Sequence, residues 1–220
     1  RSLGPLGDRQ DAPSILSDDE IARYERDGFV IPRYRLSDVD LTELQELKEK
    51  IAADNPDRLD QPIVCPHVPG NAPGLKSSPG WRRIATNPDL VDMAEQILGP
   101  DLILWGTSLF YKRAQNGPST PWHRDGTAPI KPLTTMSAWI AVYDSVVENG
   151  CLRCIPGSHR AREIGHHTTE YFDLDLAAAA NSLAISSLDP TEFDEDAAVD
   201  IELEAGQMVL LDGPYVIHGA

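Results

Sequence analysis

The sequence predicts a mainly β domain with flanking helices, an α+β chain whose strands form an antiparallel sandwich or barrel. Helix signals are confined to the stretch before Gly99. After it come short segments rich in Val, Ile, Leu, Trp and Tyr, punctuated by Gly, Pro and Asn. Helices first and strands later place the helices outside one sheet of an all-antiparallel core. No internal repeat is visible, which sets solenoids and propellers aside.

The first helix opens at Ser17-Asp18-Asp19-Glu20, a capping box in which Ser17 meets the third helical N–H and Glu20 reaches back. Gly28 supplies a left-handed stop, and Phe29 to Ile31 reads as a short strand before Pro32. A second helix has Ser37 as cap and Leu41, Leu44, Leu47 and Ile51 on one stripe. From Asn55 to Gly80 periodicity disappears among Pro and Gly, so the stretch reads as loop. A third helix has Asn87 as cap, Pro88 in its first turn, an apolar face of Val91, Ala94 and Ile97 or Leu98, and Gly99 as stop. The expected β segments are Asp101 to Lys112, Met136 to Tyr143, Cys151 to Pro156, Val199 to Leu203 and Gln207 to Ile217. Asp173 to Asp200, acidic and rich in Ala and Ser, reads as an insertion forming a lid.

The 220 residues suit one domain. Residues 1–13 mix Gly, Pro and charge without periodicity and read as a mobile leader, leaving 14–220 as a single domain. Acidic residues number 35 against 19 Lys and Arg, a net charge of −16, so the surface repels phosphate backbones and anionic lipids and neither nucleic acid nor a membrane is an expected partner. Apolar runs such as Val209 to Leu211 fall far short of the roughly 20 residues that span a bilayer. Three cysteines, an odd number, favour reduced thiols in the cytoplasm. Cys151 and Cys154 form a C-x-x-C without a second pair, and they read as buried structural thiols.

Candidate chemistry centres on PWHRDG. His123 and Asp125 lie two apart, so on an extended segment both side chains reach one face and one metal ion. A third ligand is His218, at the end of an apolar strand bent at Gly213-Pro214. Two imidazoles and a carboxylate on one face of an ion leave positions open for exogenous ligands, which suits iron(II). The same set suits zinc, although the helical H-E-x-x-H of zinc peptidases is absent. An H-x-D pair alone arises by chance, and the surrounding sequence is what raises its weight.

SLFYKRAQNGPSTPWHRDG, SAWIAVYDSVVENGCLRCIPGSHR and LEAGQMVLLDGPYVIHGA occur in that order, behind an opening LSDDEIARYERDGFVIP. Together they resemble the phytanoyl-CoA dioxygenase family, from about Leu16 onward, with the middle loop and acidic insertion unmatched. The resemblance implies a double-stranded β-helix (a cupin-like jelly roll) with iron(II) held by His123, Asp125 and His218. It implies 2-oxoglutarate and O2 as co-substrates and a small-molecule substrate whose aliphatic C–H is hydroxylated, with succinate and CO2 released. By the same resemblance Trp139, Ser108 and Arg83 approach 2-oxoglutarate; core packing competes for Trp139 and simple solvation for Arg83.

The resemblance also implies an arginine about ten residues after His218 to pair with the far carboxylate of 2-oxoglutarate, on a strand that Ala220 leaves unfinished. A halogenase would need a small residue in place of Asp125. A non-catalytic binding module of the same fold, or an oxidative cyclase or desaturase, are the alternative functions. The run of acids from Glu170 to Asp200 points, if it closes over the site, to a small polar substrate bearing a cation rather than a coenzyme A thioester.

Overall fold

A computed structural model of the chain describes residues 14–59, 62–111, 119–125, 135–161 and 186–220. The first helix, α1 (Asp18–Asp27), begins at the expected capping box: the Ser17 hydroxyl accepts from the Glu20 N–H, and the Glu20 carboxylate accepts from the Ser17 N–H. It ends at Gly28, whose φ of 83° lies in the left-handed region and whose N–H donates to the Tyr24 carbonyl. The chain turns directly into β1 (Phe29–Val30) and then α2 (Asp38–Asp54), whose expected stripe of Leu41, Leu44, Leu47 and Ile51 is buried.

The segment expected to be loop contains a strand, β2 (Ile63–Val64), and leads into a short helix, α3 (Gly80–Ala85). One helical turn and a half carries too little periodicity to read, yet Trp81 and Ile84 bury its inner side. In α4 (Pro88–Leu98) the Asn87 cap and Pro88 stand as expected, but the buried face is Leu90 and Met93, with Ile97 packed beside them. The face is rotated from Val91 and Ala94 because Leu and Met offer more apolar area to the core.

The remaining strands are β3 (Ser108–Leu109), β4 (His123–Arg124), β5 (Ser137–Ile140), β6 (Leu152–Cys154), β7 (Ser186–Ser187), β8 (Val199–Ile201), β9 (Met208–Leu211) and β10 (His218–Gly219). They are shorter than the segments expected. Ile103 and Trp105 are exposed ahead of β3, because apolar composition makes a strand only where a neighbour pairs with it. Three sheets result: β1-β9-β5, β7-β4-β10-β6-β8, and the pair β2-β3, with antiparallel pairing throughout. The first two are the walls of a jelly roll.

β9 organises the layers. Met208 and Leu210 join a core with Leu41, Leu44, Ile51, Trp81 and Met93 from the helices. Val209 and Leu211 point the other way, into a second core with Leu152, Cys154, Ile201, Leu203 and Val216. All four residues are 2% exposed or less, so the strand reads as an unbroken apolar run rather than an alternating one.

The acidic segment is corrected in its described part. From Ser186 to Asp200 it is wall rather than lid: β7 pairs with β4, two 3-10 turns follow, and β8 pairs with β6. Asp189 and Asp194 cap those turns, and Arg153 pairs with Glu195 and Asp200. Four of the acids there, Asp189, Asp194, Glu195 and Asp200, thus have local partners. The first part of the segment, including Asp173, lies outside the described residues.

Candidate metal centre

β4 and β10 are antiparallel neighbours with His218 directly opposite His123, so both imidazoles leave one face of the sheet. Their ring centroids stand 4.2 Å apart, tilted by 52°. Each Nδ1 meets a backbone carbonyl, Pro121 at 2.8 Å for His123 and Val216 at 3.0 Å for His218. A carbonyl only accepts, so each Nδ1 carries a hydrogen and each Nε2 is the nitrogen turned toward Asp125, the one that would ligate a metal once free of a proton. Both carbonyls belong to the residue two before the histidine, so each strand orients its own ligand.

Asp125 follows β4, and its N–H donates to the Gly213 carbonyl at 2.8 Å, which ties the end of the strand to the bend before β10. Its Oδ1 lies 3.7 Å from His123 Nε2 and 3.5 Å from His218 Nε2. The donor atoms of the three residues lie within 4.8 Å of one another, a separation that a single ion can bridge. The histidine side chains are 6% and 5% exposed while that of Asp125 is 33% exposed, which leaves one side of the triad accessible to incoming ligands.

The protonation states are uneven. Burial, and next the charge of His218, push His123 down to about 4. Burial also opposes charge on His218, but the bond and charge of Asp125 outweigh it and lift His218 above its ordinary value. Burial likewise raises Asp125, yet the bond and charge of His218, the charge of His123 and the Ser137 hydroxyl together hold its carboxyl below the usual range. The site therefore pairs an ionised carboxylate with one neutral and one readily charged imidazole.

The three ligands read from the sequence are thus brought together, and the three candidate cofactor contacts part company. Trp139 lies on the face of β5 shared with Ser137 and packs against the core between the sheets. Ser108 is exposed on β3, opposite Val64 in the two-stranded sheet. Arg83 lies in the helical layer, where its guanidinium binds Asp40 and Glu43 of α2. The side chain is half exposed, as a solvated residue would be, and is also engaged by carboxylates of the protein's own helix.

Two contacts of the site were not read from the sequence. The Ser137 hydroxyl donates to Asp125 Oδ2 at 3.2 Å, and the bare Cα of Gly213 sits against the same carboxylate. Ser137 carried a usable signal, standing two residues before Trp139 on one strand face. Between the ligands, Arg124 turns to the opposite face and is buried, donating to the carbonyls of Ser158 and Ala161. Cys151 and Cys154 are free and buried, as expected, and burial pushes the Cys154 thiol far up.

Fold and site define a jelly-roll protein with a metal centre of two histidines and one carboxylate. The chain belongs to the phytanoyl-CoA dioxygenase (PhyH) family, whose model matches residues 24–220. It is 32% identical over 114 residues to a phytanoyl-CoA dioxygenase domain-containing protein 1 homolog of Dictyostelium discoideum, a match covering 51% of this chain and 39% of that one. It is 26% identical over 151 residues to an ectoine dioxygenase of Nocardia farcinica, covering 64% and 51%. The crystal structure of EctD from S. alaskensis, solved with 2-oxoglutarate and 5-hydroxyectoine, superposes with a TM-score of 0.70 at 21% identity over 94% of this chain and 70% of that one. The chain spans about half the length of the curated relatives it matches. Among the described residues no helix is long and apolar enough to cross a membrane.

Proposed function

We propose that the chain carries the metal centre of an iron(II)- and 2-oxoglutarate-dependent dioxygenase that hydroxylates an aliphatic C–H of a small molecule, releasing succinate and CO2. The carrying observation is that two histidine Nε2 atoms and one carboxylate oxygen lie within 4.8 Å of one another, with the accessible side beside Asp125. Membership of the PhyH family and the names of the relatives support the choice of iron and 2-oxoglutarate over zinc.

In this reading His123, Asp125 and His218 hold the ion. When bound, iron with 2-oxoglutarate and O2 supplies the oxidising power that the protein's own groups lack. The chain's contribution is positional. Pro121 and Val216 fix the two imidazoles, and the apolar wall of Leu152, Leu211 and Val216 keeps water from the inner side. Trp139, on the inward face of β5, takes the role of bordering 2-oxoglutarate. Asp125 favours hydroxylation over halogenation, because it keeps the coordination position that chloride would need.

The experiment is succinate formation from 2-oxoglutarate with added iron(II), run across ectoine, free amino acids and acyl-CoA thioesters. Wild-type protein is expected to form succinate, and His123→Ala or Asp125→Ala to reduce it to background with the fold intact by circular dichroism. Full activity in either variant rules out the ligand assignment. Metal binding by the wild type with no turnover on any substrate favours a non-catalytic binding module instead.

A further inference from the structure

The two oxygens of Asp125 have different surroundings. Oδ1 faces His123 and His218. Oδ2 faces away and accepts the hydrogen of the Ser137 hydroxyl at 3.2 Å. Asp125 and Ser137 belong to opposite walls of the jelly roll, since Asp125 follows β4 in the five-stranded sheet and Ser137 opens β5 in the three-stranded one. The bond therefore reaches the metal ligand from across the molecule.

Gly213 makes room for it. A Cβ there would stand 2.6 Å from Asp125 Oδ2, 2.8 Å from Ser137 Oγ and 3.2 Å from the Asp125 Cβ. The backbone of Gly213 is not in the left-handed region, unlike that of Gly28 or Gly206, so no turn geometry demands a glycine. Space beside the carboxylate is what demands it.

We propose that Ser137 is a positioning residue that holds Asp125 as a one-oxygen ligand, with the gap at Gly213 admitting the pair. With Oδ2 bound to Ser137, only Oδ1 is turned to the ion. A carboxylate free to rotate would offer both oxygens and close one of the positions that exogenous ligands need. This rests on the triad being the metal site, and not on the identity of the substrate.

The test uses Co(II) alone as probe, with affinity from titration and coordination from the visible absorption of the bound ion. Ser137→Thr keeps a hydroxyl, whereas Ser137→Val has the same shape without one. Ser137→Thr is expected to bind within about threefold of wild type, and Ser137→Ala and Ser137→Val to bind about 10- to 100-fold more weakly with an altered spectrum. The melting temperature of the metal-free variants separates loss of positioning from loss of fold. Thr and Val variants weakened alike would show that space alone matters and overturn the proposal, as would wild-type affinity and spectrum in Ser137→Ala. If wild-type protein binds no Co(II), the triad itself is at fault; if it binds but does not turn over 2-oxoglutarate, the function fails while the role of Ser137 stands.

Discussion

In the metal-free centre the carboxylate of Asp125 favours charge on His218, while burial and the charge of His218 disfavour it on His123. Asp125 lifts His218 above its ordinary value, and His123 is pushed down to about 4. A metal requires both Nε2 lone pairs, so it must displace the proton on His218. The sign follows: below the raised value of His218 each ion bound releases a proton and affinity falls as pH falls, while above it affinity levels off. Calorimetric titration of Co(II) in two buffers of different ionisation enthalpy measures that proton. A proton count of zero at pH 6 would contradict the pairing. The ligands themselves were legible because the two-residue spacing of His123 and Asp125 is a property of one strand. Ser137 and Gly213 meet Asp125 only through the packing of two sheets, and no local pattern records that.

At the scale of elements, α1 is anchored by a buried acid. Glu20 accepts from the N–H groups of Ser17 at 2.8 Å and of Arg33 at 2.7 Å, so it caps the helix and also fastens the segment after β1. Burial raises its pKa, but those bonds outweigh the effect and hold it below the usual 4.5. A folded value below the unfolded one contributes stability that is full above about 4.5 and lost as pH falls through the folded value. Glu20→Gln should therefore cost about 1.5–3 kcal/mol at neutral pH, the range for hydrogen bonds to a charged group. Denaturant melts at a series of pH values check this, and the gap from wild type should close in acid. A gap that persists unchanged in acid would mean that charge is not involved. Caps and stripes such as those of α1 and α2 are legible because they are written in consecutive residues. β7 was not, since Ser186 and Ser187 have no apolar pattern and are a strand only by pairing with the metal strand β4. α3 was missed for want of length.

Across the whole molecule, the jelly roll was legible from order and resemblance, whereas its layering depends on contacts between distant segments. The helices cover one face of the three-stranded sheet, and the metal centre lies on the side of the other. β9 stands between them, with β1 on one edge and β5 on the other and apolar packing above and below. Its backbone consequently has no route to solvent through local opening, because releasing it requires both cores to separate together. Amide hydrogen exchange followed by mass spectrometry should find peptides spanning Met208–Leu211 the last to take up deuterium, at a rate that tracks global unfolding. The stretch around Ile103–Trp105 should exchange early. Exchange in β9 ahead of α2 would mean that the two cores come apart independently.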